Sequence, residues 1–548
     1  MKIDSIVSFL FLQTFALATL PTVTISDGVL IGTTTTLPSA TASVNKFLGV
    51  PFAAAPIGQL RFALPQSVQP YGTIQANKWS KSCMQQFINS TTAVPTRSQT
   101  IQLFNTPDPG ESEDCLYLNV YVPGTQTTGK TVMFWIYGGG LEYGTASIPW
   151  HDGSSFAAYQ DVIIVAPNYR TNVFGFPHSD EITDNTKWNI GYYDQRMALQ
   201  WVKNNIKAFG GDPNKVTIFG QSSGATSVDR LVTTMGSNPP FRAAIMQSGT
   251  SSVTVGKADQ STTEWSSLVP ILGCSPQQTS SPLACMRTKD ATAIKSALEA
   301  NYTGNFFSFQ PIQDGVTELK QPEASRLAGT IAKVPILQGT TAQEGRLYSL
   351  PYNVQGGFNY WVETKLSFPG ANFYNIIAAY PIPGTYPDND AAVAQAWTDA
   401  IYQCPASVVT WDSATGPKIP TWRYYFNASF ANYGSVPGFT NRGAYHTTDI
   451  PLVFGTYPSS GATAQEIALS QYMQTAWATF AKDPNGGPDP AWPSISSSSG
   501  GKYIGVLGNA GNTFTNLTVM QSTPLDTRCS PLYYPIYNES DNANSWKN

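Results

Sequence analysis

Ser222 stands at the centre of the pentapeptide Gly220-Gln221-Ser222-Ser223-Gly224, directly after the apolar run 216–219 and before helix-compatible sequence over 225–235. A strand that turns sharply into a helix projects the hydroxyl of the residue at the turn, and glycines two positions either side leave room for close backbone approach. In a chain with 45 glycines the pentapeptide alone is a weak signal, and the flanking strand and helix give it weight. A serine hydroxyl is a poor nucleophile near neutral pH and needs a base, for which histidine is the usual choice. Of the three histidines, His151 and His178 precede the serine and read as surface or core residues. His446, in Gly443-Ala444-Tyr445-His446-Thr447-Thr448-Asp449, follows it, as the chain order serine, acid, histidine of such elbows requires. The acid must lie between them and orient the imidazole. Glu344 fits, because a short polar loop joins it to the apolar run 334–339 and Gly345 backs it. Asp314, in Pro311-Ile312-Gln313-Asp314-Gly315, is the alternative, with turn formation as its more natural work.

The run 132–137 ends in Gly138-Gly139-Gly140. The backbone N–H groups of Gly139 and Gly140, with that of Ser223 after the nucleophile, are candidates for an oxyanion hole. A flexible turn or a phosphate loop is the alternative, but no Lys-Ser/Thr follows to make a nucleotide site. Leu141, Phe306 and Phe307 are candidates for an acyl pocket, although aromatics at 306 and 307 suit a core equally well. These groups together describe acyl transfer to water through a covalent serine intermediate, with a small-molecule ester as partner and no metal or cofactor.

Such groups need elements to hold them. Apolar runs rich in β-branched residues recur at 132–137, 162–167, 216–219, 243–247, 334–339 and 422–426, and near-continuous runs suit strands buried on both faces. Between them, Met197, Trp201, Val202, Ile206 and Phe209 recur at helical spacing over 194–209, with Asp194 placed to cap the start and Gly210-Gly211 the end. Strands alternating with helices predict an α/β architecture with a large, mostly parallel sheet, whose sites lie beyond the carboxyl ends of the strands. No long linker breaks the 548 residues, so one large catalytic body over 19–548 is expected. The tail after about residue 538 is polar, as fraying chain ends are.

Residues 1–18 combine Lys2, an apolar stretch and the small-residue ending Ala16-Leu17-Ala18, which reads as a signal peptide and predicts a secreted protein. Sequons at Asn89, Asn301, Asn427, Asn516 and Asn538, and an even six cysteines, agree with export. Local spacing suggests Cys83 with Cys115 and Cys274 with Cys285. Charged residues make up 12% of the chain, against roughly 25% in an ordinary domain, and hydroxyl side chains must supply much of the wet surface. With 31 basic and 35 acidic residues and no basic cluster, nothing marks a nucleic acid or anionic membrane as partner. No later segment has the ~18 apolar residues of an integral membrane helix.

The residues at this point resemble the type-B carboxylesterase/lipase family, the cholinesterase-like branch of the α/β-hydrolases, over nearly the whole mature length, with secreted fungal esterases and lipases among the similar proteins. The run Phe209-Gly-Gly-Asp-Pro-Asn-Lys-Val-Thr-Ile-Phe-Gly-Gln-Ser222-Ser-Gly224 is similar to that family's nucleophile signature, and Glu113-Asp114-Cys115-Leu116-Tyr117-Leu118-Asn119-Val120 to its second signature. Phe47-Leu48-Gly49-Val50-Pro51-Phe52 with Leu60-Arg61-Phe62 resembles the N-terminal hallmark, and His446-Thr-Thr-Asp449-Ile-Pro-Leu-Val-Phe-Gly455 the histidine segment. The resemblance implies a carboxylic ester hydrolase with Glu344 as the acid. It further implies the disulfides Cys83–Cys115, Cys274–Cys285 and Cys404–Cys529, and a lid or Ω-loop over 83–115. That lid is polar except for Ile101, Leu103 and Phe104, so strong interfacial activation at lipid is not expected, although contact with a lipid interface stays open. Two departures stand out: Tyr137 precedes the glycines where many members have His, and Gln221-Ser222-Ser223 replaces the commoner Glu-Ser-Ala. The rival reading is a non-catalytic adhesion or binding protein on the same fold. Such relatives typically lose the nucleophile or the base, and both are present here.

Overall fold

The computed structural model describes residues 20–87, 100–101, 110–125, 127–252, 260–300, 309–348, 356–366, 372–433, 442–495, 502–509, 516–534 and 537. A small N-terminal sheet joins β1 (Thr22–Ile25), β2 (Gly28–Ile31) and β5 (Thr73–Gln75). The large sheet contains β3 (Thr33–Thr35), β4 (Val44–Pro51), β6 (Tyr117–Pro123), β7 (Lys130–Ile136), β8 (Ile163–Pro167), β9 (Gly211–Gln221) and β10 (Ala243–Gln247). It is completed by β11 (Ile336–Thr341), β12 (Thr421–Phe426), β13 (Tyr503–Leu507) and β14 (Leu517–Gln521). Its strand order is β14-β13-β12-β11-β10-β9-β7-β8-β6-β4-β3. From β8 to β13 every neighbouring pair is parallel, and the antiparallel pairs lie outside that block.

All six apolar runs fall in this parallel block, as β7 to β12. Every residue of β7, β8, β10 and β11 is buried, since helices cover both faces of a parallel sheet and leave no face for polar alternation. Among the packed helices are Ile190–Asn205, Ser223–Thr234, Cys404–Thr415 and Ala464–Lys482, the last opened by a capping box between Thr463 and Glu466. The expected helix over 194–209 begins earlier, at Ile190, and Asp194 is not its cap. Asp194 lies in the first turns, fully buried, where its carboxylate accepts from the backbone N–H, Nε and Nη2 of Arg170. A buried carboxylate with a bidentate guanidinium is worth more inside than at the wet helix end. The far end behaves as expected: a short 3-10 turn, Ile206–Phe209, closes on Gly210 at φ +85°.

A second apolar cluster sits beside the main core and includes Phe358, Trp361, Ile376, Tyr380, Cys404 and Tyr533. The Cys404–Cys529 disulfide runs through it and ties the C-terminal region to the helix Cys404–Thr415. The other four cysteines pair as Cys83–Cys115 and Cys274–Cys285. Among the described residues no helix is long and apolar enough to cross a membrane. The N-terminal stretch 1–18 and the sequons at Asn89, Asn301 and Asn538 lie outside the described residues; Asn427 and Asn516 are partly exposed.

Candidate active site

β9 ends at Gln221 and the next helix begins at Ser223, so Ser222 alone makes the turn, at φ +57° and ψ −128°. A non-glycine residue held there stores about 1–3 kcal/mol of strain and persists only where its surroundings fix it. Those surroundings include the Ser222 N–H bonded to the Gln247 carbonyl at 2.8 Å and the Thr226 N–H to the Ser222 carbonyl at 2.9 Å. A side chain at Gly220 or Gly224 would run into the Ile136 carbonyl oxygen on β7, so the elbow tolerates only glycine two residues either side.

Glu344 opens a single 3-10 turn, Glu344–Leu347, three residues past the carboxyl end of β11. It is fully buried; Oε1 accepts the Thr341 N–H at 2.7 Å, and Oε2 lies 2.5 Å from His446 Nδ1. His446 is brought there because its loop is bonded to the Glu344 loop twice. The Gln343 N–H meets the Ala444 carbonyl at 2.9 Å, and the Ala444 N–H meets Gln343 Oε1 at 2.7 Å. Thr447, the next residue, sits at φ +85°, a second strained backbone position beside the first. The carboxylate holds the proton on Nδ1, which leaves Nε2 as the lone-pair nitrogen. The Gln221 amide Nε2 lies 3.1 Å from that nitrogen.

Gly138 lies so close to the elbow that a Cβ there would sit 2.8 Å from the Ser222 Cβ. Gly139 and Gly140 follow at φ +116° and +66°, conformations suited to glycine. Among the described residues no carbonyl takes up the N–H of Gly139, Gly140 or Ser223. Donors left free beside a nucleophile are what a developing oxyanion needs. The base of the 83–115 segment fixes this loop: Gln85 bonds both the Gly144 N–H and its carbonyl, and the Gln86 N–H meets the Glu142 carbonyl.

Several groups around the site were not singled out by sequence. Asp449 is fully buried, accepts from Gln247 Nε2 at 2.9 Å and Tyr424 Oη at 3.2 Å, and burial pushes its carboxyl up to about 6. Gln247 is in turn held by Trp477 Nε1. The rings of Tyr348 and Tyr402 lie against the His446 imidazole, with centroids 5.4 and 4.8 Å away. Their only sequence signal is position, Tyr348 four residues after Glu344 and Tyr402 two before Cys404.

The remaining candidates fall elsewhere. His151 is buried against Trp135 and Phe454 and bonded to the Thr145 carbonyl; His178 is buried against Trp188. Burial pulls them down to about 4 and about 3. Asp314 accepts the N–H groups of Val316, Thr317 and Glu318, which is turn work. Leu141 belongs to the main core at φ +60°. Phe306, Phe307, Leu103 and Phe104 lie outside the described residues.

The family model described as "Carboxylesterase family" matches residues 19–513. The chain is 32% identical over 463 residues to the para-nitrobenzyl esterase of Bacillus subtilis, covering 82% of this chain and 88% of that one. It is 31% identical over 454 residues to the chlorogenic acid esterase of Aspergillus niger (81% and 80%), and 32% identical over 515 residues to the cholinesterase of Mus musculus (88% and 83%). A solved PNB esterase structure superposes with a TM-score of 0.73 at 28% identity, covering 92% of this chain and 98% of its own.

Proposed function

The chain belongs to the carboxylesterase family and is a carboxylic ester hydrolase of the α/β-hydrolase fold, and from that premise we propose that it is a secreted serine esterase acting on lipophilic or aromatic esters through an acyl-enzyme. In this reading Ser222 is the nucleophile, His446 the base and Glu344 the supporting acid, with Gly139, Gly140 and Ser223 forming the oxyanion hole. One observation chiefly supports it. Glu344 holds the imidazole of His446 at 2.5 Å beyond the sheet's carboxyl edge, and the imidazole's other nitrogen faces the residue that precedes Ser222 on a strained elbow.

Ser222 Oγ attacks the ester carbonyl while its proton passes to His446 Nε2. The carbonyl electron pair moves onto oxygen and is met by the three N–H groups. Collapse breaks the bond to the alcohol, which leaves with the proton from Nε2. Water, activated by the same nitrogen, then attacks the acyl-enzyme and returns the proton to Ser222. Glu344 stays ionised throughout and steadies the imidazolium. Aromatic acyl or alcohol groups are favoured by the tyrosine rings at the imidazole, and relatives named for para-nitrobenzyl and chlorogenic acid esters point the same way. Residues 1–18 are read as the signal peptide, 19–548 as one catalytic body and 83–115 as its lid.

The test is the initial rate of p-nitrophenyl ester hydrolysis, from acetate to palmitate, with and without a lipid interface, on protein recovered from the medium with its N-terminus sequenced. Ser222→Ala is expected to lose about 10⁴-fold or more in kcat while keeping the fold. Retained activity in the variant would refute the nucleophile, and protein that still begins at Met1 would refute the signal peptide. A chain-length optimum at long acyl groups that needs the interface would make it a lipase instead.

A further inference from the structure

The glycine loop beside the elbow is built from backbone that does not hold its own shape. Gly139, Gly140 and Leu141 follow one another at φ +116°, +66° and +60°. Glycine takes either hand of the backbone at little cost, so a peptide plane here stays put only where its carbonyl is tied. The Gly139 carbonyl accepts the N–H groups of Glu142 and Tyr143 at 3.1 and 3.2 Å, which closes the turn on itself, and the Leu141 carbonyl accepts the Asn172 N–H at 2.7 Å. The Gly140 carbonyl, between them, accepts from Gln310 Nε2 at 3.1 Å. A carbonyl can only accept, so the Gln310 amide must present its NH2 group there.

Gln310 is itself aimed by restraints on both sides. Before it, Phe309 is buried and sits at φ +53°, in the left-handed region that a bulky residue keeps only where its surroundings fix it. The Phe309 N–H is held at 2.5 Å by Oε2 of Glu264, on the helix Gln260–Ile271. After Gln310 comes Pro311, which biases the residue before it toward extended backbone. Next is Ile312, whose N–H and carbonyl are both bonded to the buried side chain of Asn189, at 3.0 and 2.8 Å. We propose that Gln310 is a positioning residue of the oxyanion hole, tethering the Gly140 carbonyl so that the loop's N–H groups face the reacting carbonyl, with Glu264 fixing the strained backbone that aims it. This rests on Ser222 being the nucleophile and on Gly139, Gly140 and Ser223 being the donors. Gln310 acts through the loop and exchanges no proton. In each tetrahedral step the carbonyl electron pair moves onto oxygen and then returns, and the tether keeps the donors where that oxygen forms. The negative charge exists in the transition state and not in the bound ester, so a loosened loop lowers kcat and leaves KM nearly unchanged.

The experiment uses the full-length protein, with kcat expressed per site labelled by a fluorophosphonate, so that a lower folded fraction does not count as a loss. The parameters kcat and KM for p-nitrophenyl acetate are measured for native protein, Gln310→Met, Glu264→Leu and Glu264→Gln. Gln310→Met keeps the length of the side chain without the N–H. The inhibition constant of trifluoroacetophenone is measured beside that of acetophenone. Ser222 Oγ adds to the fluorinated ketone, its proton passes to His446 and the ketone oxygen takes the electron pair, so this binding reads the hole, whereas acetophenone reads the ground state. Gln310→Met is expected to lower kcat about ten- to a hundredfold and to weaken trifluoroacetophenone by a similar factor, with KM and acetophenone nearly unchanged. Glu264→Leu should act the same way more weakly. Glu264→Gln keeps an oxygen for the Phe309 N–H and should recover most of that loss. Native kcat in Gln310→Met overturns the proposal, as does a loss carried by KM, or a lower kcat with trifluoroacetophenone binding unchanged. Trifluoroacetophenone that binds native protein no better than acetophenone overturns the serine and oxyanion reading instead. If Gln310→Met does not fold, Glu264→Leu against Glu264→Gln carries the test, and equal kcat in those two sinks the tether.

Discussion

The imidazole of His446 is engaged at both nitrogens, by Glu344 at Nδ1 and by the Gln221 amide at Nε2. Among the described residues no hydrogen bond joins Ser222 to His446. In the proposed mechanism Nε2 passes from the Gln221 amide to the serine proton, a short side-chain shift. Residue 221 is a neutral amide. A carboxylate there, as commonly found in the resembled family, would stand 3.1 Å from Nε2 and favour the imidazolium. Gln221→Glu is thus expected to move the acid limb of the kcat/KM profile to higher pH, lowering activity at pH 6 more than at pH 8. An acid limb that stays in place or moves to lower pH would show that residue 221 does not address Nε2 in the working enzyme.

At the scale of elements, the site depends on how tightly the Glu344 turn seats against its neighbours. The Gly345 N–H bonds Thr398 Oγ1 at 3.0 Å, and a Cβ at Gly345 would drive into the carbonyl oxygen of Ala394. Both partners belong to fixed helix, so the turn must yield and carry Glu344 with it. Gly345→Ala is expected to cost about 1–3 kcal/mol of stability. Its kcat should fall by about a hundredfold, because misplacement by about 1 Å near the chemistry has that effect. Gly72→Ala, with open space around it, is the control, and comparable kcat in the two variants would contradict the argument. The same scale explains what was legible beforehand. β7 to β12 were readable because strands buried on both faces must be continuous apolar runs. β1 and β3, at sheet margins and rich in threonine, carry no such run, and β14, at the opposite margin of the large sheet, buries none of its five residues. Ser222, Glu344 and His446 could be put forward together because chain order restricts the candidates. Tyr348 and Tyr402 could not, because a buried tyrosine looks like core until its ring is found against an imidazole far away in sequence.

For the whole molecule, few charges and a deep core leave several carboxyls inside. Burial pushes Glu264, Glu318 and Asp412 up to about 7 and Asp449 up to about 6, in the case of Glu318 despite the adjacent Arg230. Between about pH 4.5 and 7 the native protein therefore holds protons on these groups that the unfolded chain has released, so stability falls as pH rises through that window. The histidines act in the opposite sense. His151 and His178, pulled down by burial to about 4 and about 3, stay neutral where the unfolded chain is charged, and they add stability as pH rises toward about 6.5. Four carboxyls outweigh two histidines below that point and act alone above it. Asp526, held low by Arg423 in spite of its burial, gives stability that is lost only as pH drops below the usual carboxylate range. The thermal midpoint is accordingly expected to be highest near pH 5 and lower at pH 7.5, with net proton release on unfolding near pH 6.5 that appears as a buffer-dependent calorimetric enthalpy. Glu318→Gln should flatten the decline, since the amide cannot ionise. A midpoint equal or higher at pH 7.5, or net proton uptake on unfolding, would mean that these carboxyls are ionised in the native protein.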